Sequence, residues 1–468
     1  MRTATRRQFL RRAGCAGLGL LARPLRAAPP DDKRPLNFAF ILIDDMGWSD
    51  LDCYGSTYHL SPRIDRLARE GMRFTDAYAA CPVCSPTRAS ILSGKYPARL
   101  GVTDFIPGHW RPWARLVVPK IHNQLPLAET TIPEALKPAG YVSGCFGKWH
   151  LGWGAPFAPD KQGFDVVGRG PRSKGDKNAR GLTDQAIRFL KDHRDKPFFL
   201  FLSHHTVHIP LEAPKALVEK HTRRLRPGQK PPRQANPKYA AMVEHLDNQV
   251  RRVLDALDEL KLAGRTVVIF FSDNGGLIRT YTGKGEIVTS NAPLRSEKGT
   301  LYEGGIRVPL IVRWPGVVAP GSVCREVVTS VDFLPTLLEL AGRKGKLPAG
   351  VDGVSLLPLL KGTGPLKRDA VYWHYPHYHH CAPCGAVRAG RYKLIEYFED
   401  GRCELYDLSA DIGEKRDLAR ERPDKAAELR GKLAAWRQRV GAAMPTPNPK
   451  HDPAKAHQWG RRPRPKRG

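Results

Sequence analysis

The stretch CPVCSPTRAS, Cys81 to Ser90, sets two cysteines, two prolines and an arginine close together in a chain with nine cysteines among 468 residues. Pro86 suits the first turn of a helix and Gly94 its end, so Cys84 is predicted at a helix amino end, where free N–H groups and the dipole favour negative charge. Arg88, four residues on, shares that helix face. The product is an anion site with a sulfur in it. By chemistry alone it reads as a thiolate of lowered pKa, as in cysteine-dependent phosphatases. Asp44, Asp45, Asp273 and Asn274 form a second group, three carboxylates and an amide. Such hard oxygen donors suit Ca²⁺ better than zinc, which takes His or Cys. Lys148 and His150, two apart, project on one side of an extended segment.

Each of these groups ends a short apolar run: LNFAFILIDD, YVSGCFGKWH, KPFFLFLSHHTVH and RTVVIFFSDNGG. Continuous apolar runs of this length are typical of parallel strands buried on both faces. Helical patterns separate them. SPRIDRLAREGMRF has Ser61 as cap, Pro62 at the first helical position and Gly71 as stop, and NPKYAAMVEHLDNQVRRVLDALDELKLAG carries apolar residues at three and four spacing. In an open α/β sheet ligands sit beyond the carboxyl ends of the strands, so the polar clusters are predicted to share one cleft.

From about Asp369 the texture changes to AVYWHYPHY and GAVRAGRYKLIEYFEDGRCELYDL, then to a charged helix, PDKAAELRGKLAAWRQRVGA. This predicts a smaller antiparallel subdomain with a helix. The expected organisation is a leader over 1–30, a catalytic domain over 36–368, a C-terminal subdomain over 369–445 and a basic disordered tail over 446–468.

The leader is arginine-rich, then briefly apolar. A membrane-crossing helix needs about 20 apolar residues, so this run is an export signal and no membrane span is predicted. Arg6 and Arg7, followed by Phe9 and Leu10, resemble the twin-arginine class, which exports folded proteins and predicts a periplasmic or secreted location. Cys15 precedes the apolar run, which argues against lipidation. The formal net charge of +30 favours acidic partners, among which nucleic acid, sulfated or uronic polysaccharide and anionic lipid all qualify. No nucleic-acid motif is present, and no nucleic-acid partner is expected.

The pattern C-x-P-x-R, at Cys84, Pro86 and Arg88, resembles the motif of type I sulfatases. The likeness extends through FILIDDMGWSDLDCYG, GKWHLG, FSDNGG and APLRSEKGTLYEGGIRVPLIVRWPG, in family order, from about Asn37 to Leu418. The resemblance implies an alkaline-phosphatase-like α/β domain with a large, mainly parallel sheet between helices and a small C-terminal domain. It implies that a dedicated maturation enzyme oxidises Cys84 to formylglycine before folding. Asp44, Asp45, residue 84, Asp273 and Asn274 would hold Ca²⁺. Lys148 and Lys298 would bind sulfate oxygens, Arg88 would steady the formylglycine, and His150 and His208 would move protons or touch sulfate. His208 is chosen over His204 and His205 because the family's histidine is followed by one residue and a proline. The Asp-Asn pair argues against two-zinc phosphatases, where Asp-His would stand.

The implied activity is hydrolysis of sulfate esters, of a small molecule or a saccharide. A formylglycine-dependent phosphodiesterase or phosphonate hydrolase is the alternative within enzymes. A non-catalytic binder of sulfated polysaccharide is the alternative outside them, and the complete residue set speaks against it. The loop WHYPHYHHCAPCG reads in three ways: a substrate-contacting loop with His374 and His377 as contacts, a metal site using His379, His380, Cys381 and Cys384, or a loop closed by a disulfide. The first is preferred, since adjacent ligands seldom converge on one tetrahedron. HWRPWARL, around Trp110, is expected to line the pocket or to pack locally.

Overall fold

Strand β1, Asn37–Ile43, is buried along its whole length and sends alternate side chains to opposite faces. Phe38, Phe40 and Leu42 pack with Ile91, Leu92, Phe333 and Leu334. Ala39, Ile41 and Ile43 pack with Ile64, Leu67, Leu246 and Val250 on the other side. A strand covered on both faces needs apolar residues at every position, and its sequence is accordingly a continuous run. This computed structural model describes residues 34–168, 175–225, 234–279 and 285–460. The predicted leader, with Arg6, Arg7 and Cys15, lies outside the described residues, as do residues 461–468.

The remaining strands of the main sheet are β2 (Met72–Phe74), β3 (Val142–Gly147), β4 (Val166–Gly168), β5 (Phe198–Ser203), β6 (Thr266–Ser272), β7 (Leu310–Arg313) and β8 (Ser322–Cys324). Their order across this eight-stranded sheet is β8-β2-β7-β6-β1-β5-β3-β4. β1 runs parallel to β5 and β6, and β5 to β3. The carboxyl ends of these four neighbours therefore open on the same edge. β7 is antiparallel to both β6 and β2, which makes the sheet mixed but mainly parallel.

Helices α1 (Pro62–Glu70), α3 (Ala179–Asp192) and α4 (Pro237–Glu259) cover one face, and α2 (Cys84–Ser93) and α5 (Phe333–Leu340) the other. The starts follow their sequence signals. Asn236 caps α4 by accepting from the N–H groups of Lys238 and Tyr239, with Pro237 at the first position.

A four-stranded antiparallel meander, β9 (Val371–Tyr375), β10 (Cys384–Ala389), β11 (Tyr392–Tyr397) and β12 (Cys403–Asp407), forms the smaller unit. Helix α6, Pro423–Val440, lays Leu429, Leu433 and Trp436 on it, and the Trp436 ring stacks on Tyr372 at 5.0 Å. Two buried links tie this sheet to segments outside it. Trp373 Nε1 donates to the Ala79 carbonyl at 2.8 Å, and Lys393 Nζ bridges Glu303 and Glu414 at 2.8 and 2.9 Å.

The tail departs from expectation. Residues 446–460 are not disordered: Thr446 and Pro447 pair with Val117 and Leu116, and the Asn448 amide donates to the carbonyls of Pro112 and Ala114 at 3.0 and 2.7 Å. Composition suggested a solvated basic tail; backbone pairing to a distant loop needs no apolar run and leaves none to read.

Candidate active site

The polar residues beyond the four strand ends converge. Asp44 and Asp45 follow β1, Lys148 and His150 follow β3, His208 lies beyond β5, and Asp273 and Asn274 follow β6. Cys84 opens α2 and Gly94 closes it in the left-handed conformation at φ 68°, the stop that glycine allows. The Cys84 thiol donates to Asp44 Oδ1 at 3.5 Å and lies 4.0 Å from Asp45 Oδ1. Lys298 Nζ stands 3.5 Å from the sulfur.

Two ammonium groups and a guanidinium balance the carboxylates. Lys148 Nζ donates to both oxygens of Asp44, at 2.8 and 2.7 Å. Lys298 Nζ does the same to Asp45, at 2.6 and 2.8 Å. Arg88 reaches Asp273 Oδ2 from Nε at 2.9 Å and Nη2 at 2.7 Å, while its Nη1 donates to the Lys148 carbonyl at 2.8 Å and to Ser203 Oγ at 2.5 Å. Arg88 thus fixes the loop that carries Lys148. Burial alone would raise Asp44, but Lys148, then His208, Arg88 and Lys298, hold it well below the usual carboxylate range. Asp45 is lowered likewise, by Lys298 and His208 against burial. Asp273 goes the other way: burial, opposed by Arg88, pushes it up to about 6.

Burial also pushes the Cys84 thiol up to about 12, despite Lys148 and Lys298. The helix end that should favour a thiolate is too deeply desolvated to do so. A thiol pushed up this far keeps its proton at neutral pH, unlike the activated cysteine of a phosphatase.

The histidines have defined tautomers. His150 Nε2 lies 2.8 Å from the Ile106 carbonyl, which can only accept, so Nε2 carries the proton and the buried Nδ1, without a partner, is a bare acceptor. Burial, with Lys148, holds His150 well below its ordinary value. His208 Nδ1 donates to the Ile209 carbonyl at 2.5 Å, leaving Nε2 3.6 Å from Asp45 Oδ2. Burial lowers His208, opposed by Asp45. His204 is buried in the core, and burial takes it down to about 3.

One donor atom each from Asp44, Asp45, Cys84 and His208 lies within 4.8 Å of the others. The Asn274 carbonyl oxygen is buried without a partner, while its Nδ2 donates to Asp45 Oδ1 at 2.8 Å. Asp273 is adjacent, with Oδ2 occupied by Arg88 and Oδ1 accepting from the Asp45 N–H at 3.2 Å. An orphaned amide oxygen beside two strongly acidic carboxylates fits a hard divalent cation.

Two expected contacts do not join this group. His374 and His377 are buried, with His374 Nε2 at the Ala443 carbonyl, 2.9 Å away, and His377 Nε2 at Thr103 Oγ1, 2.8 Å away. They hold the Ala443 segment after α6 and the 103 loop in place. Their neighbours come nearer the site: His380 Nδ1 donates to the Lys298 carbonyl at 2.7 Å, and His379 packs on Gly299. Cys381 and Cys384 are thiols 3.9 Å apart. Sequence reasoning missed Lys177 and set His205 aside in favour of His208, yet both are within electrostatic reach of Asp44 and Lys148. Lys177 gave no signal, because it sits in a polar loop before α3 and ends no apolar run.

A family model described as "Sulfatase" matches residues 37–343, and one described as "N-sulphoglucosamine sulphohydrolase, C-terminal" matches 296–439. A sulfatase of Formosa agariphila is 32% identical over 89% of this chain and 92% of its own. The N-acetylgalactosamine-6-sulfatase of Sus scrofa is 33% identical over 79% of this chain and 73% of its own. Among solved structures, Ps i-CgsB in complex with k-i-k-neocarrahexaose superposes with a TM-score of 0.73 at 25% identity, covering 86% of this chain and 93% of that one.

Proposed function

Because the chain belongs to the sulfatase family and is a sulfuric ester hydrolase, we propose that it removes sulfate from saccharides through a formylglycine made from Cys84. The observation that carries this reading is the setting of Cys84: a buried thiol at a helix amino end, among the Asp44 and Asp45 carboxylates and the Lys298 ammonium. A thiol so placed makes a poor nucleophile but a well-positioned precursor. Formylglycine, as its hydrate, supplies a hydroxyl nucleophile to sulfur in place of the thiol.

Asp44, Asp45, Asn274 and residue 84, with Asp273 beside them, would hold Ca²⁺. When bound, the ion supplies a Lewis acid against a sulfate oxygen. The chain's own groups do the rest. Lys148 and Lys298 offset the charge that gathers on the sulfuryl oxygens. Arg88 anchors Asp273 and the Lys148 backbone, so the amino end of α2 and the Lys148 loop keep one geometry. His150 takes a proton at Nδ1, the atom left bare by the Ile106 hydrogen bond. His208 keeps its Nδ1 proton on the Ile209 carbonyl, so it would protonate the departing alcohol only after Nε2, 3.6 Å from Asp45 Oδ2, has itself gained a proton.

The catalytic unit spans 36–368 and the C-terminal subdomain 369–445. A maturation enzyme modifies Cys84 in the cytoplasm, and twin-arginine export follows; the arginine pair ahead of a short apolar run supports this. Among the described residues no helix is long and apolar enough to cross a membrane. The saccharide reading draws on the similar N-acetylgalactosamine-6-sulfatase and on the oligosaccharide held by Ps i-CgsB. A parallel assay of matured enzyme on sulfate, phosphate and phosphonate esters tests it. Sulfate esters should be turned over far faster; preference for a phosphorus ester would overturn the assignment.

A further inference from the structure

Among the described residues Arg111 makes no ion pair. Its Nη2 meets only the His379 carbonyl, at 3.4 Å, and its Nε is buried with no partner. The guanidinium lies 4.0 Å from the Trp459 ring centre and 5.6 Å from that of Tyr378. Glu399, the carboxylate that acts on it, is engaged by the Tyr378 hydroxyl at 2.5 Å. A half-buried guanidinium that has lost water and gained no carboxylate is held at a cost, unless something anionic completes it. Burial accordingly pulls Arg111 below the ordinary guanidinium value, against smaller effects from Tyr378, Cys381 and Glu399.

Its position gives that anion a source. His379, whose carbonyl Arg111 touches, packs on Gly299, and His380 binds the Lys298 carbonyl. Lys298 in turn touches Cys84. On the other side, the 104–109 loop meets His150 through Ile106, and the His109 ring lies 4.6 Å from His379 and 4.5 Å from Trp459. Arg111 is therefore linked through His379 and His380 to the 298–299 segment that borders Cys84, with Trp459 as its backing. A planar guanidinium laid on an aromatic ring is held flat, with its fork free for the oxygens of an anionic group.

We propose that Arg111, backed by Trp459, is a specificity-determining residue that binds a second anionic group of the substrate, a carboxylate or a further sulfate, beyond the ester that is cleaved. This rests on the saccharide sulfatase reading. The guanidinium fork pairs two oxygens of either group, and the two sources are separated by the probes.

Binding is measured by calorimetry on Cys84→Ala protein, so that no probe turns over. The probes are N-acetylhexosamine 6-sulfate alone, the same sugar linked to a uronic acid, and the same sugar with a second sulfate. Arg111→Gln should weaken one or both doubly anionic probes by about tenfold or more and leave the monosulfated sugar unchanged. Arg111→Lys should restore part of the loss, which a merely structural defect would not allow. In Cys84-matured enzyme, the same Arg111→Gln change should raise KM for the affected probe, while kcat and nitrophenyl sulfate turnover stay unchanged. Equal weakening of all three probes, or of none, overturns the proposal. Failure of the otherwise unmutated matured enzyme to hydrolyse nitrophenyl sulfate would instead count against the sulfatase reading, with the binding result still deciding for or against Arg111.

Discussion

Arg88→Ala should be among the most damaging single changes, for a reason separable from catalysis. Arg88 and Asp273 are both almost fully buried and paired at 2.7 Å, and Arg88 also holds Ser203 Oγ and the Lys148 carbonyl. Removing one partner of a buried pair leaves an uncompensated charge and costs about 3–5 kcal/mol. Against a total stability of about 5–15 kcal/mol that is a large share. The pH dependence identifies the cause. Asp273 already sits at about 6 because burial outweighs Arg88, and without Arg88 it rises further. A carboxyl whose native pKa is raised stabilises below its unfolded value near 4 and loses that stabilisation as pH climbs through the native value. The penalty of Arg88→Ala should therefore be larger at pH 8 than at pH 5. Urea unfolding in a calcium chelator measures it, and adding Asp273→Asn to Arg88→Ala should recover part of the loss by removing the stranded charge. A penalty under about 1 kcal/mol, or one that grows toward acid pH, would refute this account of the pair.

Lys298→Ala should lower kcat/KM by about 100-fold or more, since it removes a charge beside the reacting group; Lys215→Ala, on an exposed side chain, should leave it unchanged in the same assay. Purified protein should contain one calcium per chain, and chelation should lower its thermal midpoint; stoichiometric zinc without calcium would contradict the oxygen-donor site. Replacing Arg6 and Arg7 by Lys should trap active enzyme inside the cell, and an unchanged exported yield would reject the twin-arginine route.

The four strand ends were legible because each joins a continuous apolar run to polar residues, a pattern that a strand buried on both faces imposes on the sequence. α2 was legible from Pro86 and Gly94, which encode a start and a stop. Depth was not legible. The helix amino end suggested a stabilised thiolate at Cys84, whereas desolvation wins over both lysines. His374 and His377 looked like contacts because they lie in an aromatic, histidine-rich loop; nothing in the local pattern told that their rings turn to the Ala443 carbonyl and the Thr103 hydroxyl. The tail order depends on Pro112, Ala114 and Leu116, more than 300 residues earlier. Pairing at that separation leaves no local periodicity.

The proposed mechanism requires Cys84 to be the precursor of the nucleophile. It is tested most directly by mass analysis of the peptide containing Cys84, paired with sulfatase activity, in protein made with and without a formylglycine-generating enzyme. Matured protein should carry a peptide lighter by the difference between a thiol and an aldehyde, reactive toward carbonyl reagents, with activity in proportion to the converted fraction. Full sulfatase activity with Cys84 still a thiol, lost on alkylation, would contradict the account.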